Sequence, residues 1–599
     1  IDHVSATLAL KDVAGPEVQG SPAPRFPTLA GEVTVDRDGR GWRAQGSGIH
    51  IDPGHDPWRR GEFEFRFSPG ASDGGIFRLR SSSVHLDALG ALASLLPEGR
   101  ARDMGLALAP RGLLTGVDIA ATHARDGAWR LNGGAQFTDV GFGAFESIPG
   151  ITGLSGSIAG SGARASGEIH GNGMAVDLAR AIREPIPVEH LQSKFEITSK
   201  PEGWRIALSD TALATLGTRA EGGVSLFLPS DPQIPSDIAL DFRFGGLKAV
   251  NATRYLPGRK LPARTMDWLD HAFLGGVVAE GRAVLSGDLK QFPFRDGGGL
   301  FRITFGFEHL RLHFHDEFGD LEELFGDAEF KNAGFTAHAR QGRAHGIVIR
   351  QAVAGMADFK EAELTADARV EGDVRDALAY LQGSLVGPKL GPLFMKLGGR
   401  GSMGGDLKLV LPFSHFADRL VAVDAHIDRA QVKLPGLEEP ARDVTGTLSI
   451  HNRDVSAPKI AATLLGGPAK FAVKTLAGKG GERSLTVSAE GHVLGEHVQA
   501  ALGIDYGTWI SGGADWTLAA RFPRVEWQPP ADPPPADAPP GTHPTVHEVE
   551  THWGAGSVQL QSTLQGFGLG FPAPLNKPAE TLRPLRAEVT IDFPVDDTT

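Results

Sequence analysis

Hydrophobic and polar residues alternate along most of the chain. The segment Glu62–Phe67 places three Phe side chains on one face of an extended strand and charged side chains on the other. The same period-two pattern recurs at Ile238–Phe244, Phe301–Phe307 and His309–His315. Gly, Asp and Asn separate the alternating stretches, as hairpin connections require. The pattern therefore predicts a mostly β fold built from antiparallel strands.

Helical patterns are few and short. They predict helices at Val84–Leu96, Arg100–Leu108, Met266–Leu274, Asp373–Leu381, Pro392–Leu397 and His497–Leu502. Helices of this length cannot cover so many strands, yet each apolar strand face has to be covered. Two arrangements stay open: closed sandwiches, or an elongated, twisted antiparallel sheet curled into an apolar groove that receives acyl chains. The abundance of Phe (32) over Tyr (3) suits both.

A weak internal repeat predicts the domain organisation. A strand, a turn containing Pro or Gly and a second alternating strand recur with starts near residues 7, 137, 307 and 427. We therefore expect four β-groove modules, at 1–136 with a helical insert, 137–306, 307–426 and 427–599. The last module contains a Pro-rich loop at 528–545, which we expect to be extended.

Composition excludes several classes of protein. The chain has 59 basic and 72 acidic residues and a net charge of −13, without a basic block, so we expect no nucleic-acid partner. The absence of Cys excludes disulfides, thiolate metal sites and Cys nucleophiles, and it suits an oxidising compartment. The chain contains no apolar run of 18 residues and begins with Ile1. We expect it to be part of a longer polypeptide whose membrane anchor lies outside it.

The candidate chemistry of the chain is sparse. His309, His313 and His315 share one strand face and could hold a metal ion, as a metal-dependent hydrolase would require. A solvated polar face is the better interpretation, because the intervening apolar residues form the opposite face. The Gly-rich strings lack the context of a phosphate-binding loop or a nucleophile elbow. We therefore expect no enzyme activity, no cofactor and no metal.

Two stretches carry a resemblance to a known family. In order along the chain, Asn251–Pro257, Trp268–Gly276 and Gly281–Phe294 supply a Tyr-Leu-Pro entry, a Trp-Leu helix, a Gly-Gly exit and a strand that leads into Phe-Pro-Phe. This order resembles the central region of the YhdP branch of the AsmA-like family. The segment Phe571–Lys577 resembles the family's C-terminal Leu-Pro-x-Pro-Leu-x-Lys signature, with Phe571 in place of Leu.

The resemblance implies a repeating β-groove fold and a bridge-type lipid-transfer protein. Such proteins are tethered to the inner membrane of Gram-negative bacteria and extend through the periplasm. They are implicated in moving phospholipid towards the outer membrane. The implied partners are phospholipid, both membranes through parts of the protein outside this chain, and envelope proteins.

The strongest strands nominate the residues that would line a lipid groove. These are the members of their apolar faces: Phe63, Phe65, Phe67, Leu240, Phe242, Phe244, Phe301, Ile303, Phe305, Leu310, Leu312 and Phe314. In the alternative interpretation, a periplasmic β-sandwich scaffold that binds proteins without lipid transport, the same side chains pack in a closed core.

Overall fold

A computed structural model describes most of the chain. The described residues are 3–14, 25–38, 41–52, 57–69, 75–93, 99–123, 129–145, 149–178, 182–231, 233–256, 258–259, 263–314, 319–383, 390, 394–413, 415, 418–478, 483–501, 509–527 and 550–591. The Pro-rich segment 528–545 and His315 lie outside them.

Thirty β-strands account for most of the described residues, which confirms the predicted mostly β fold. Their bounds are β1 His3–Ala14, β2 Arg25–Asp38, β3 Gly41–Asp52, β4 Trp58–Ser68, β5 Ile76–His85, β6 Arg111–His123, β7 Trp129–Phe142, β8 Gly150–Ser161, β9 Arg164–Asp177, β10 Ile186–Lys200, β11 Gly203–Thr215, β12 Thr218–Pro229, β13 Asp237–Lys248, β14 Phe273–Gly287, β15 Gly299–His313, β16 Asp320–Lys331, β17 Gly334–Ala344, β18 Ile347–Met356, β19 Glu363–Asp373, β20 Gly398–Pro412, β21 Leu420–Lys433, β22 Ala441–His451, β23 Asp454–Leu464, β24 Gly467–Ala477, β25 Arg483–Leu494, β26 Ile510–Trp527, β27 Glu550–Trp553, β28 Gly556–Ser562, β29 Phe567–Leu569 and β30 Leu585–Ile591.

The described helices are short. They are α1 Leu86–Leu92, α2 Arg100–Leu108, α3 Ala263–Ala272, α4 Val374–Gln382 and α5 Gly495–Ala501, with single 3₁₀ segments at Ala249–Tyr255, Leu289–Gln291 and Phe394–Lys396. Helix α2 has the predicted bounds. Helix α1 starts later than predicted, because Val84 and His85 still pair with β6 as the end of β5.

The chain divides into two compact units. The first consists of Ile1–Leu310 and Asp327–Ala333, the second of Arg311–Gly326 and Gly334–Thr599. In the first unit each strand from β1 to β14 pairs antiparallel with the next in sequence. In the second unit the same order holds from β17 to β26, and β26 then pairs with β27, β28 and β29. The finer division into four modules stays a prediction.

Helices lie at one edge of the sheet in each unit. In an antiparallel meander, every connection that follows an odd-numbered strand lies at the same edge. Helices α1 and α2 follow β5, and α3 follows β13; in the second unit α4 follows β19 and α5 follows β25. An edge here is the side of the sheet at which strands begin and end, not an outermost strand. We call the edge that carries the helices in each unit its helix-bearing edge, and the opposite one its turn edge.

The sequence repeat corresponds to a recurring residue with a positive φ angle, which in two of the copies coincides with a β-bulge. Asp12, Asp139, His309 and Arg429 stand near the end of the first strand in the four copies of the repeat, and their φ angles are 53°, 52°, 50° and 48°. Around Asp139 and Arg429 the strand register shifts at this residue. Such bulges bend a strand and increase its twist. The repeat therefore encodes a local bend close to the helix-bearing edge.

Candidate functional site

A continuous apolar row crosses the first unit. Following register partners from strand to strand, it runs through Val4, Val35, Ala44, Phe65, Leu79, Ile119, Gly133, Gly160, Ala165, Ile197, Ile206, Leu226 and Ile238. Every member is aliphatic, aromatic or Gly, from β1 to β13. Because side chains alternate between the two faces of a strand, these residues define one apolar face.

The neighbouring row, one residue closer to the helix-bearing edge on each strand, is polar. It runs through Ser5, Thr34, Gln45, Glu64, Arg80, Asp118, Gly134, Ala159, Ser166, Glu196, Ala207, Ser225 and Ala239. This polar row contains no aromatic residue and no aliphatic residue larger than Ala. The sheet of the first unit is therefore amphipathic over thirteen consecutive strands.

The apolar face is only half covered. In the row of the first unit only Ala165 is buried, and Phe65 and Leu79 are each 36% exposed. Strand β13 shows the pattern most simply, since its apolar residues Ile238, Leu240, Phe242 and Phe244 are half-buried and the residues between them are exposed. Side chains between two closed sheets would instead be largely inaccessible. The half-covered face fits the predicted groove.

The twelve predicted lining residues share this partial exposure. Phe63 and Phe67 flank Phe65 on β4, and all of the twelve except the exposed Phe65 are half-buried. Register connects the β4 group to the β13 group, which sequence alone could not do. Phe301 and Phe305 make ring contacts with Phe292 (5.4 Å) and Phe330 (6.2 Å).

On β15 the side-chain alternation changes phase at the bulge. Phe301, Ile303 and Phe305 occupy odd positions, whereas Leu310 and Leu312 occupy even positions and are also half-buried. Glu308 and His309 are both exposed, and His309 has the positive φ of a bulge residue. The extra residue explains how half-buried positions continue after the change of parity. Phe314, just after the strand, is half-buried as well.

Among the described residues of the first unit, helices cover the apolar face only near its helix-bearing edge. Ile49 and Ile51 at the end of β3, Trp58 at the start of β4 and Val84 at the end of β5 are at most 7% exposed and pack with Ala88 of α1. The row that contains Phe65 lies further along the strands, towards the turn edge. The helices thus close one margin of the apolar face and leave its middle accessible.

The second unit has an apolar row of smaller side chains. Register partners form a first succession from β17 to β23: Ala339, Ala352, Ala368, Leu407, Val423, Ile450 and Val455. A second succession starts two residues further along β23 and ends on β30: Ala457, Val473, Val487, Ala520, Val558 and Val589. Ile450, Ala457 and Ala520 are buried. Neither succession contains an aromatic residue.

In both units an Asp carboxylate joins a helix to the strand that follows it. Asp87 of α1 accepts a hydrogen bond from the Gly112 N–H at 2.8 Å, and Asp373 accepts from the Gly401 N–H at 3.0 Å. Asp373 also caps α4 by accepting from the Arg375 N–H at 2.8 Å. Desolvation acts to raise the pKa of Asp373, but the two backbone donors and nearby Arg375 and Arg400 hold it below its usual value.

An ion pair fixes α3 at the helix-bearing edge of the first unit. The two terminal nitrogens of Arg183, Nη1 and Nη2, each donate to one oxygen of the Asp270 carboxylate at 2.7 Å. These hydrogen bonds, followed by the charge of Arg183, lower the pKa of Asp270 against the opposing effect of desolvation.

The residues of the family resemblance hold turns and edges together. The hydroxyl of Tyr255 donates to the Thr215 carbonyl at 3.2 Å. Phe294 is 1% exposed, and its carbonyl accepts from the Asn332 side chain at 3.2 Å. The ammonium of Lys577, 4% exposed, donates to the carbonyls of Phe567 (2.8 Å) and Pro578 (3.1 Å). These contacts give the signature residues a structural role.

The histidines proposed as metal ligands show no such arrangement in the part of the chain that the structure describes. His313 is 2.8 Å from the Asp320 carboxylate, and His309 is exposed. No group of three or more His, Asp or Glu side chains suited to a metal converges among the described residues. His315 lies outside them.

Sequence reasoning missed most of the apolar row between β5 and β12. The segment Val224–Leu228 alternates around Ser225, and this short signal could have identified Leu226. The Gly and Ala members carry no such signal, because their place on the face follows only from register. Exposed Trp42, Trp129 and Trp204 were missed as well.

The fold and this face define a class of protein: an antiparallel β-sheet whose apolar side is covered by helices at one edge and otherwise accessible. A family model described as YhdP protein matches residues 1–599. The chain belongs to the YhdP family. No curated protein and no solved structure matches it. Among the described residues, no helix combines the length and the apolar character needed to cross a bilayer.

Proposed function

We propose that this chain carries lipid acyl chains along the apolar face of its sheet. It would be the periplasmic segment of a bridge-type lipid-transfer protein, tethered to the inner membrane by a segment outside this chain, and would move phospholipid towards the outer membrane. The observation that carries the proposal is the apolar row over thirteen strands, which is half exposed rather than closed. Membership of the YhdP family supports the envelope setting.

Physical chemistry favours a lipid as the missing cover. Soluble monomers rarely leave contiguous apolar patches larger than about 300–600 Å² exposed. Acyl chains would remove such surface from water at roughly 25 cal/mol per Å² of apolar area. Because register partners from β1 to β13 are all apolar, a chain could shift along the face without crossing a polar barrier. Such movement breaks no covalent bond and requires no catalytic group.

A protein-binding scaffold is the competing proposal. Closed sandwiches would bury the row, and the half-exposed side chains of β13 argue against that form. A partner protein could still cover an open apolar face. The presence or absence of bound lipid distinguishes the two functions.

The test is lipid extraction from the chain purified from a bacterial envelope, followed by mass spectrometry. We expect stoichiometric phospholipid with the wild type and a large loss with Leu226→Glu, which places a charge in the row. Ala239→Glu is the matched control, because Ala239 is exposed on the polar face one strand away, as the register partner of the Ser225 that adjoins Leu226. A lipid-free wild type, or equal lipid in both folded variants, would refute the proposal.

A further inference from the structure

The turn edge of the first unit carries a regular series of exposed Trp residues. Trp42 is the second residue of β3, Trp129 the first of β7 and Trp204 the second of β11, and they are 43%, 38% and 38% exposed. Consecutive strands pair throughout this stretch, so these strands are four apart, or about 19 Å at the usual strand spacing. Each Trp has the parity of the apolar row: Trp42 with Ala44, Trp129 with Leu131 and Trp204 with Ile206.

The opposite face of the same edge is cationic. The three residues nearest the turn edge on each strand from β3 to β12 include seven Arg or Lys and no Asp or Glu: Arg43, Arg66, Arg78, Arg130, Arg164, Lys200 and Arg205. The corresponding positions at the helix-bearing edge contain four cations and two carboxylates. The contrast is notable in a chain whose net charge is −13.

Part of this positive charge is left over after ion pairing. Arg43, Arg66 and Arg78 are cross-strand partners in succession, an arrangement of like charges that is unfavourable by itself. Glu64 forms an ion pair with Arg43 (3.1 Å) and accepts from Arg66 (3.0 Å), and Asp118 accepts from Arg78 (3.1 Å) and Arg80 (3.2 Å). Asp36, the register partner of Arg43 on β2, is a third carboxylate beside these four guanidinium groups, so among the described residues the cluster keeps a net charge of +1.

An apolar cleft opens between two of the Trp residues. It has a volume of about 150 Å³, and Trp129 and Trp204 line it together with Leu131, Ile158 and Ile197 of the apolar face. Arg130 and Arg164 belong to the same lining. An apolar cavity of about 150 Å³ can bind benzene, so the cleft has room for a short length of acyl chain.

We propose that the head groups of bound phospholipids leave the apolar face over this turn edge, with Trp42, Trp129 and Trp204 at the boundary between acyl chain and head group and the edge arginines binding the phosphate. The inference rests on the proposed function and adds which edge the head group faces. Trp prefers such boundaries, where one side of the ring is apolar and the other wet. Arg matches phosphate with a planar fork of donors, and its long stem lets the charge reach around an edge.

Nitroxide-labelled phosphatidylcholine bound to the full chain tests the position of the head group. With the label on the head group, we expect quenching of Trp fluorescence that is mostly lost in the Trp42/Trp129/Trp204→Phe triple variant and kept in Trp268→Phe, whose Trp lies on α3 at the helix-bearing edge. Loss of quenching in Trp268→Phe instead would overturn the assigned edge. A label at the end of an acyl chain reports lipid binding independently of the head group. Quenching by the acyl-chain label alone would refute the turn edge as the position of the head group. Quenching by neither label would refute the proposed function as well.

The cations are tested by comparing lipids with and without phosphate. We expect Arg130→Gln/Arg164→Gln to weaken binding of phosphatidylglycerol about fivefold, as the loss of exposed charge pairs allows, and to leave diacylglycerol binding unchanged. Arg59→Gln/Arg219→Gln is the matched control, because both residues are exposed at the helix-bearing edge. Equal effects on the two lipids, or of the two double variants, would overturn the role of the edge arginines.

Discussion

The apolar rows of the two units differ in side-chain size and in exposure. In the first unit Phe65 and Leu79 stand in the row and are each 36% exposed, with only Ala165 buried. In the second unit the row consists of Ala, Val, Leu and Ile; Ile450, Ala457 and Ala520 are buried, and Val589 at the far end of the row is 54% exposed. Both units keep the same alternation, so the pattern alone does not decide how far the face is covered.

The difference has a simple physical basis. A Phe side chain projects further from the sheet than Val or Ala, so only another long side chain, a helix or a ligand can cover it. A short side chain is more readily buried by residues of the adjacent strands. We infer that the second unit leaves more room above its backbone, whereas the first presents a larger apolar surface to a bound chain.

The sharpest way to break this comparison is to place a charge in each row. Leu240→Glu in the first unit should weaken acyl-chain binding about tenfold, a fraction of the roughly 2.5–3.5 kcal/mol that a charge costs in hydrocarbon. We expect Val487→Glu in the second unit to weaken it less, because Val487 offers a smaller contact. Fluorescent phospholipid binding measures both, and Ala239→Glu and Ser488→Glu on the opposite face are the controls. Similar losses in rows and controls would show that neither row binds lipid.

Truncation should affect stability in the reverse order of exposure. Ile450→Ala removes a buried side chain and should cost about 2–4 kcal/mol, whereas Phe242→Ala in the half-buried row of the first unit should cost only about 1–2 kcal/mol. Denaturant unfolding of lipid-free protein measures both. If Phe242→Ala proved the more damaging, the face of the first unit would be a packed core.

The Asp contacts between helix and strand allow a smaller comparison. Asp373→Ala removes the cap of α4 and the acceptor of the Gly401 N–H, and should cost about 1–2 kcal/mol. Asp87→Ala removes the acceptor of the Gly112 N–H and should cost about 1 kcal/mol. Thermal unfolding with separate probes in each unit measures the loss. Equal stability of both variants and wild type would contradict a shared joining role.

The smallest effect concerns pH and salt. The pKa of Asp270 is lowered in the folded state, so its contribution is fully present above the unfolded pKa of about 3.9 and is lost as pH falls through the lower folded value. Because the pair with Arg183 is partly exposed, Asp270→Asn should cost less than about 1 kcal/mol at neutral pH, and less at high salt. Asp373, held by backbone donors, should respond less to salt. A salt-independent loss for Asp270→Asn would mean that packing, not charge, is removed.

Some elements were predictable from the sequence and others were not. Glu62–Phe67 and Ile238–Phe244 alternate strictly, so their strands and apolar faces followed directly, and α4 followed from the helical pattern at Asp373–Leu381. The membership of Gly133 and Gly160 in the apolar row could not be predicted, because Gly has no side chain and only its register partners on other strands show which face it belongs to. The half-buried positions of β15 continue beyond His309 because of a bulge, and a histidine in the sequence does not predict a bulge.

By itself, the sequence determined the strand class, the short helices and the amphipathic character of each strand, because all three depend on periodicities within a few residues. Only the tertiary structure decided that Phe65 and Ile238 belong to one face nine strands apart, and that helices cover one edge while Trp42, Trp129 and Trp204 mark the other. Those facts depend on the register between strands. Register is set by pairing, by bulges and by which side chains meet across the sheet.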